Sequence, residues 1–393
     1  MLRKDIVIVE GARTPFAEFC GSFRDITAID LGAIAAKGAI QKANVDPEEI
    51  DQVVFGNVQQ SSVNAHILAR HVALKANLPI HVPAVTVNRL CGTGVEAIIQ
   101  AARLVMTGEA KMTLAGGTEN MSQTPHVIRG MRWGSPLGGP VIEDWVWDGL
   151  YDTVGDCTMA DTAENLAIKY ELSREEIDCH ALRSHQLALA AMEKGYFKEE
   201  IVPVAVKDRK GEKIVDTDEH PRDTSMEKLG KLKPRFRENG VVTPGNASGM
   251  VDGAAAVIIT SEEYAARRGL KPIARLVSWG VVGVEPKYMG IGPAPAIRQA
   301  LESADMKIED IDLIEINEAF AAQYLACQKE LGFDPEIGNV NGGAVAIGHP
   351  LAASGTRITH SLIKELGRRR KKYGVSSVCI GGGQGIATIW ERL

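Results

Sequence analysis

The chain is predicted to fold as an α/β protein of two duplicated halves, with a long segment inserted into the first. Three features of its 393 residues carry that expectation: an internal repeat, an alternation of short β-rich runs with helix-period stretches, and a middle region of different texture.

The repeat emerges when the two ends are laid side by side. PEEIDQVVFGNVQQ (47–60) is answered by KIEDIDLIEINEAFA (307–321), each a helix end, an Ile-Asp pair and an apolar strand running to Asn. AVTVNRLCGTG (84–94) is answered by GNVNGGAVAIGH (338–349), each expected to be a strand ending in Asn that opens onto a Gly-rich helix start. KMTLAGGTEN (111–120) is answered by SSVCIGGGQG (376–385), a buried strand running into paired glycines. A constant order and similar spacing mark a duplicated unit. Stretches such as VEAIIQAARLVMTG and SGTRITHSLIKELGRRR have helical periodicity, so each half is expected to hold a parallel or mixed sheet.

Between the halves, GMRWGSPLGGPVIEDWVWDGLYD holds three of the five tryptophans, and KLGKLKPRFRENG packs five Lys/Arg into ten residues. Long insertions of this kind in compact folds usually serve as lids or binding regions. The expected organisation is therefore a first half at 1–120 plus 250–270, an inserted loop domain at 121–249, and a second half at 271–393, where KPIARLVSWGVVG echoes the N-terminal KDIVIVEGARTPF.

A net charge of −6 argues against a nucleic-acid partner, which needs a basic footprint. An anionic ligand would have to be met by a local patch. The N-terminal DIVIVEGA is too short and too charged for a signal segment, and no run of about 18 apolar residues suggests a membrane span. Six cysteines without C-x-x-C spacing suit neither a zinc site nor a disulfide framework, so reduced thiols are expected and no metal is expected. In CHALRSH, His180 and His185 are five apart on one helix and do not share a face, which weighs against a metal there. Localisation is expected to be cytoplasmic, with the mitochondrial matrix or peroxisome open for a eukaryotic source.

Cys91 sits where a helix would begin, so unpaired N–H groups and the helix dipole would favour its thiolate. It is a candidate nucleophile, with a small buried residue at a crowded junction as the alternative. CGTGVEA also fits the dinucleotide fingerprint G-x-G-x-x-A, with Glu119 as a poorly placed acidic partner. In the second half Asn317 and Glu318, then His349, then Cys379 with Gly381 fall at the corresponding strand ends. Taken singly, Asn317 could cap a helix, His349 could be a turn histidine and Cys379 could be strand core. Pseudo-symmetry, however, would bring equivalent strand ends to one crevice, with Cys91 facing His349 and Cys379. A thiol beside an imidazole is an activated nucleophile pair, and a second thiol can take and return a proton on a carbon next to a thioester. Together they imply making or breaking carbon–carbon bonds.

The motifs NRLCGTG, GGTENMS, TAENLA, GNASGMVDGA, NEAFAAQ, NGGAVAIGHPLAASG and CIGGGQG, in this order along essentially the whole chain, resemble the thiolase family. The resemblance implies the thiolase-like α/β fold and ping-pong acyl transfer, with coenzyme A as substrate and no other cofactor. It implies Cys91 as nucleophile and His349 as its activating base. It also implies an oxyanion hole from His349 and a water held by Asn317, Cys379 as acid/base, and a second oxyanion hole from the N–H groups of Cys91 and Gly381. Ser248 would meet the pantetheine arm, Arg222 and Phe236 the adenine nucleotide, and Met159 and Ala319 the bound substrate. Partners would be acyl-CoA, acetyl-CoA and CoA, and the assembly a homodimer or homotetramer. Acetoacetyl-specific members often carry His-Met-Gly where this chain reads Thr158-Met159-Ala160, so longer acyl chains are expected to fit. An acetoacetyl-CoA-specific acetyltransferase is the alternative, with an inactive acyl-CoA or lipid-binding protein more remote. A decarboxylating synthase of the same fold would lack Cys379.

Overall fold

The computed structural model describes residues 5–135, 137–208 and 211–393. Nine strands matter here: β1 (Ile6–Arg13), β2 (Gln52–Gly56), β3 (Ala84–Val87), β4 (Met112–Glu119), β5 (Val251–Ser261), β6 (Ala274–Gly283), β7 (Leu313–Ile316), β8 (Tyr373–Ile380) and β9 (Gln384–Arg392). They are joined in the order β7-β8-β9-β6-β1-β5-β4-β2-β3. The helices that position the site are α1 (Ala28–Ala43), α2 (Thr93–Thr107), α3 (Met159–Lys169), α4 (Arg174–Glu193), α5 (Pro293–Ser303), α6 (Ala321–Leu331), α7 (Ala344–Ile347) and α8 (Leu351–Arg369).

The duplication is legible in the strand order. Outward from the middle, β1, β5, β4, β2 and β3 pair antiparallel, antiparallel, parallel and parallel. On the other side β6, β9, β8 and β7 repeat the first three of those pairings, and a parallel bridge from Ile314 to Gly338 stands for the fourth. Among the described residues the halves pair edge to edge at Val7–Arg275 and Ile8–Ala274.

One expectation fails at that last position. Residues 338–349 form no strand like β3; the run instead carries α7. Gly342 and Gly348 take positive φ of 77° and 95°, which breaks an extended run. The Asn339 side chain replaces the missing ladder, accepting from Ile316 N–H at 2.9 Å and donating to Ile316 C=O at 2.8 Å.

Strands buried on both faces explain the near-continuous apolar runs. Side chains alternate across a strand, so Leu114, Ala254, Ala256 and Ile258 pack outward with α1. Their neighbours Ala115, Val257 and Ile259 pack inward against Ile98, Ala101 and Val105 of α2 and Leu362 and Leu366 of α8. From the other side, Val378, Ile380 and Ile386 reach the same two helices at Val95, Ile99 and Ile358. The outer face of the second half, with Ile314, Ile316 and Val375, is covered by α5 and α6. The result is five layers, helix-sheet-helix-sheet-helix, with α2 and α8 at the centre.

These two helices cross at Gly94 and Gly355, equivalent positions of the repeat. A Cβ on Gly94 would lie 2.5 Å from Thr356 N, and one on Gly355 would lie 2.6 Å from Val95 N. Residues 121–250 leave the sheet between β4 and β5. Within them α3 and α4 bury Ala163, Leu166, Ile177 and Ala181 against Ala321, Ala326 and Val345 of the second half.

Gly355→Ala is predicted to lose about 1–3 kcal/mol of stability through overpacking against backbone. Gly367→Ala, on the same helix with nothing within 4 Å of the added Cβ, should gain about 0.5–1 kcal/mol. Urea midpoints that shift alike for the two variants would contradict the close crossing.

Candidate active site

The loop from Asn88 to Gly92 carries Cys91 between β3 and α2. It is shaped by its own polar side chains: Leu90 N–H donates to Asn88 Oδ1 at 2.9 Å, and Arg89 N–H donates to Thr93 Oγ1 at 2.7 Å. Leu90 is held at a φ of 44°, a region costly for a residue with a Cβ. The Arg89 guanidinium donates to Gln384 Oε1 at 3.0 Å and pairs with Glu96, tying this loop to the CIGGGQG turn.

The backbone N–H groups of Gly381 and of Cys91 itself lie near enough to the Cys91 sulfur to favour its thiolate. Burial outweighs them and pushes the thiol up to about 11. The expectation that a helix start depresses this pKa is therefore corrected. The helix begins at Thr93, past the thiol, and loss of water decides the sign. Cys379, fully buried at the end of β8, is raised well above the ordinary thiol value, first by burial and then by the charge of Cys91. The two thiols thus lie within electrostatic reach of each other.

His349 follows α7 and is 5% exposed. Its Nδ1 lies 2.5 Å from Ser354 Oγ, which donates onward to Pro350 C=O, so the ring proton sits on Nδ1 and Nε2 is the acceptor nitrogen. Burial, then Arg357, lowers its pKa to about 3 and keeps the imidazole neutral. Asn317, just past β7, presents Nδ2 at 3.4 Å from His349 Nε2. Its buried Oδ1 has no partner among the described residues, which leaves it for a ligand.

The remaining expected residues fall into two groups. Ser248 N–H donates to Ala319 C=O at 3.0 Å, and Ala319 and Met159 cluster with Cys379 and Met289. The Met159 sulfur also abuts Gly381. Arg222 and Phe236 lie exposed on the inserted segment and do not join this cluster. The dinucleotide fingerprint fails because its glycines are already occupied: a Cβ on Gly92 would strike Ile380, and Gly94 is the helix crossing. Glu119 is likewise engaged, accepting from Asn57 Nδ2 and from the N–H groups of Val58, Gln59 and Ala352.

Ser354, Arg357, Leu90 and Met289 were not singled out from sequence. Ser354 lies within the ASG of NGGAVAIGHPLAASG, five residues after the histidine it orients. The others carry no local signal. Glu318 accepts from Ser184 Oγ, Asn339 Nδ2 and Val345 N–H, and faces His180 Nε2 at 3.1 Å, linking α4 to α7 and hence to His349. His180 and His185 on α4 accordingly turn to different partners.

A thiol flanked by two N–H groups, a neutral imidazole that presents an acceptor nitrogen and a second, buried thiol suit an enzyme that transfers acyl groups through cysteine. The thiolase N-terminal domain model matches residues 6–263 and the thiolase C-terminal domain model matches residues 270–392. Mitochondrial 3-ketoacyl-CoA thiolase of Bos taurus is 50% identical over 100% of this chain and 99% of its own. Acetyl-CoA acetyltransferase of Syntrophomonas wolfei is 45% identical over 100% of both. The crystal structure of human mitochondrial 3-ketoacyl-CoA thiolase in complex with CoA superposes with a TM-score of 0.97 at 48% identity, covering 100% of this chain and 99% of that one. The chain belongs to the thiolase family. It is an acyltransferase of the thiolase fold.

Burial draws the Glu318 pKa upward, but bonds from His180, Ser184 and Asn339 hold it at about 2. Its stabilising contribution is therefore complete above 4.5 and lost as the pH falls toward 2. Glu318→Gln should lose about 1–3 kcal/mol at pH 7, and its melting temperature should fall less steeply than that of the wild type between those pH values. Parallel curves would contradict the assignment.

Proposed function

We propose that Cys91 is the nucleophile, His349 its base, Cys379 the acid/base at the α-carbon, and Asn317 and Gly381 oxyanion-hole contributors. What supports this is a thiol whose thiolate the Cys91 and Gly381 N–H groups favour, within electrostatic reach of a second, buried thiol. In thiolysis the Cys91 proton passes to His349 Nε2 as sulfur bonds to the 3-keto carbon. The bond between the α- and β-carbons then breaks, and the leaving acetyl-CoA carbanion takes the Cys379 proton. CoA gives its thiol proton to the Cys379 thiolate and attacks the acyl-enzyme, and the released Cys91 thiolate is reprotonated by His349. Developing oxyanions are met by fixed N–H donors in a site poor in water.

CoA is the substrate and no further cofactor is needed. Ser248, Ala319 and Met159 would take the pantetheine arm and acyl end, and Arg222 and Phe236 the nucleotide. Thr158 supports use of longer acyl chains: its hydroxyl caps α3, accepting from Asp161 N–H at 3.2 Å and donating to Asp161 Oδ2 at 2.7 Å, instead of filling the pocket. The bovine and human proteins, both named for 3-ketoacyl-CoA, point the same way.

We further infer a division at 1–120 plus 250–270, 121–249 and 271–393, and a homodimer or homotetramer. Exposed Trp133, Val141 and Ile142 on the inserted segment support the oligomer. Six free cysteines support a reducing compartment, the cytoplasm or an organelle matrix.

The test is thiolysis of 3-ketoacyl-CoA substrates of increasing length, with Cys91→Ser as the blank. Longer chains should react at least as well as acetoacetyl-CoA, and activity confined to acetoacetyl-CoA would overturn the chain-length assignment. Cys379→Ala should retain acyl exchange onto Cys91 while carbon–carbon cleavage falls about 10²–10⁴-fold. Unchanged cleavage would remove Cys379 from its role.

A further inference from the structure

His185 and His220 form a second polar cluster that the chemistry above does not use. His185 lies on α4 and His220 on the loop that reaches Arg222 two residues later; they are 1% and 7% exposed. Their ring centroids are 6.4 Å apart. Arg222 N–H donates to His185 Nδ1 at 3.4 Å, which puts the His185 proton on Nε2. His220 Nδ1 faces Glu18 Oε1 at 2.8 Å and donates to it, which leaves His220 Nε2 as an acceptor. Both Nε2 atoms are buried and unpartnered among the described residues, one a donor and one an acceptor. A fold selected for stability alone would fill such a place with apolar side chains, because unspent buried polarity is costly.

The surroundings indicate what the cluster holds. The His220 ring lies directly over Gly249, leaving no room there for a Cβ. Gly249 follows Ser248, and its carbonyl accepts the His349 N–H at 2.9 Å. His185 also lies within electrostatic reach of the Arg222 side chain.

We infer that His185 and His220 are positioning residues for coenzyme A, His185 fixing the backbone of Arg222 and His220 bracing both that loop and the Ser248–Gly249 turn. This rests on the assignment of Arg222 to the nucleotide end of CoA. Neither imidazole takes part in acyl transfer. Their effect is on affinity for the nucleotide portion, which the reacting thiol does not carry.

The experiment compares CoA with pantetheine, which lacks the nucleotide, as acyl acceptor. Wild type, His185→Leu, His185→Gln, His220→Phe and Arg222→Ala are assayed, with melting curves to verify folding. His220→Phe keeps a ring over Gly249, and His185→Gln keeps an N–H near the Nε2 position. His185→Leu and His220→Phe should raise the KM for CoA about tenfold at near-constant kcat, the pattern of lost uniform binding. The KM for pantetheine should stay within about twofold, and His185→Gln should recover part of the loss. If Arg222→Ala raises the KM for CoA and the histidine variants do not, the inference is overturned while the CoA assignment stands. If Arg222→Ala leaves that KM unchanged, the CoA assignment fails and the inference with it. Equal losses with CoA and pantetheine would mean a general structural defect and would also overturn it. Should His185→Leu fail to fold, His220→Phe and His185→Gln carry the comparison.

Discussion

The close crossing of α2 and α8 is the constraint on which the site depends. Gly94 and Gly355 let the two backbones approach to a distance that any side chain would prevent, and Gly117 of β4 lies against Ala352 at the same point. That contact fixes where α2 starts, and so where Cys91 sits, relative to the loop that holds His349 just ahead of α8. It also presses both helices onto β8, whose end carries Cys379 and Gly381. Each half supplies one thiol, and neither half alone contains the site.

Loss of water then sets the electrostatics. Burial raises both thiols and lowers His349, so the resting site holds neutral groups in place of a thiolate–imidazolium pair. On the proposed mechanism charge appears only during reaction, and it is met by N–H donors already in place. Such preorganised dipoles act most strongly in a site poor in water. The network around Glu318 extends the same rigidity outward, since one carboxylate binds the inserted α4, Asn339 beside β7, and the start of α7.

Much of this was written in the sequence because a duplicated fold must encode the same turns twice. The strand pairs 52–56 with 313–316 and 112–119 with 373–380, and the places of Asn317 and Cys379 at strand ends, were readable from that repeat. The segment at 338–349 was misjudged because Asn339 satisfies Ile316 with its side chain, which no apolar pattern reveals. The protonation state of Cys91 was misjudged for a quantitative reason. A helix terminus is worth about 0.3–1 kcal/mol, under one pKa unit, whereas full burial can shift a group by about 3–5 units. Ser354, Arg357 and the His185–His220 pair act through neighbours brought close only by the fold, so their spacing along the chain carries no sign of them.

The central claim is that the two thiols have separate duties, covalent at Cys91 and protonic at Cys379. Its most direct test is rapid acid quench of the wild-type protein during turnover of a 3-ketoacyl-CoA, followed by mass analysis of the cysteine peptides. The account predicts a transient acyl mass on the peptide containing Cys91 and none on that containing Cys379. An acyl group on Cys379, or turnover with no acyl-enzyme at all, would contradict it.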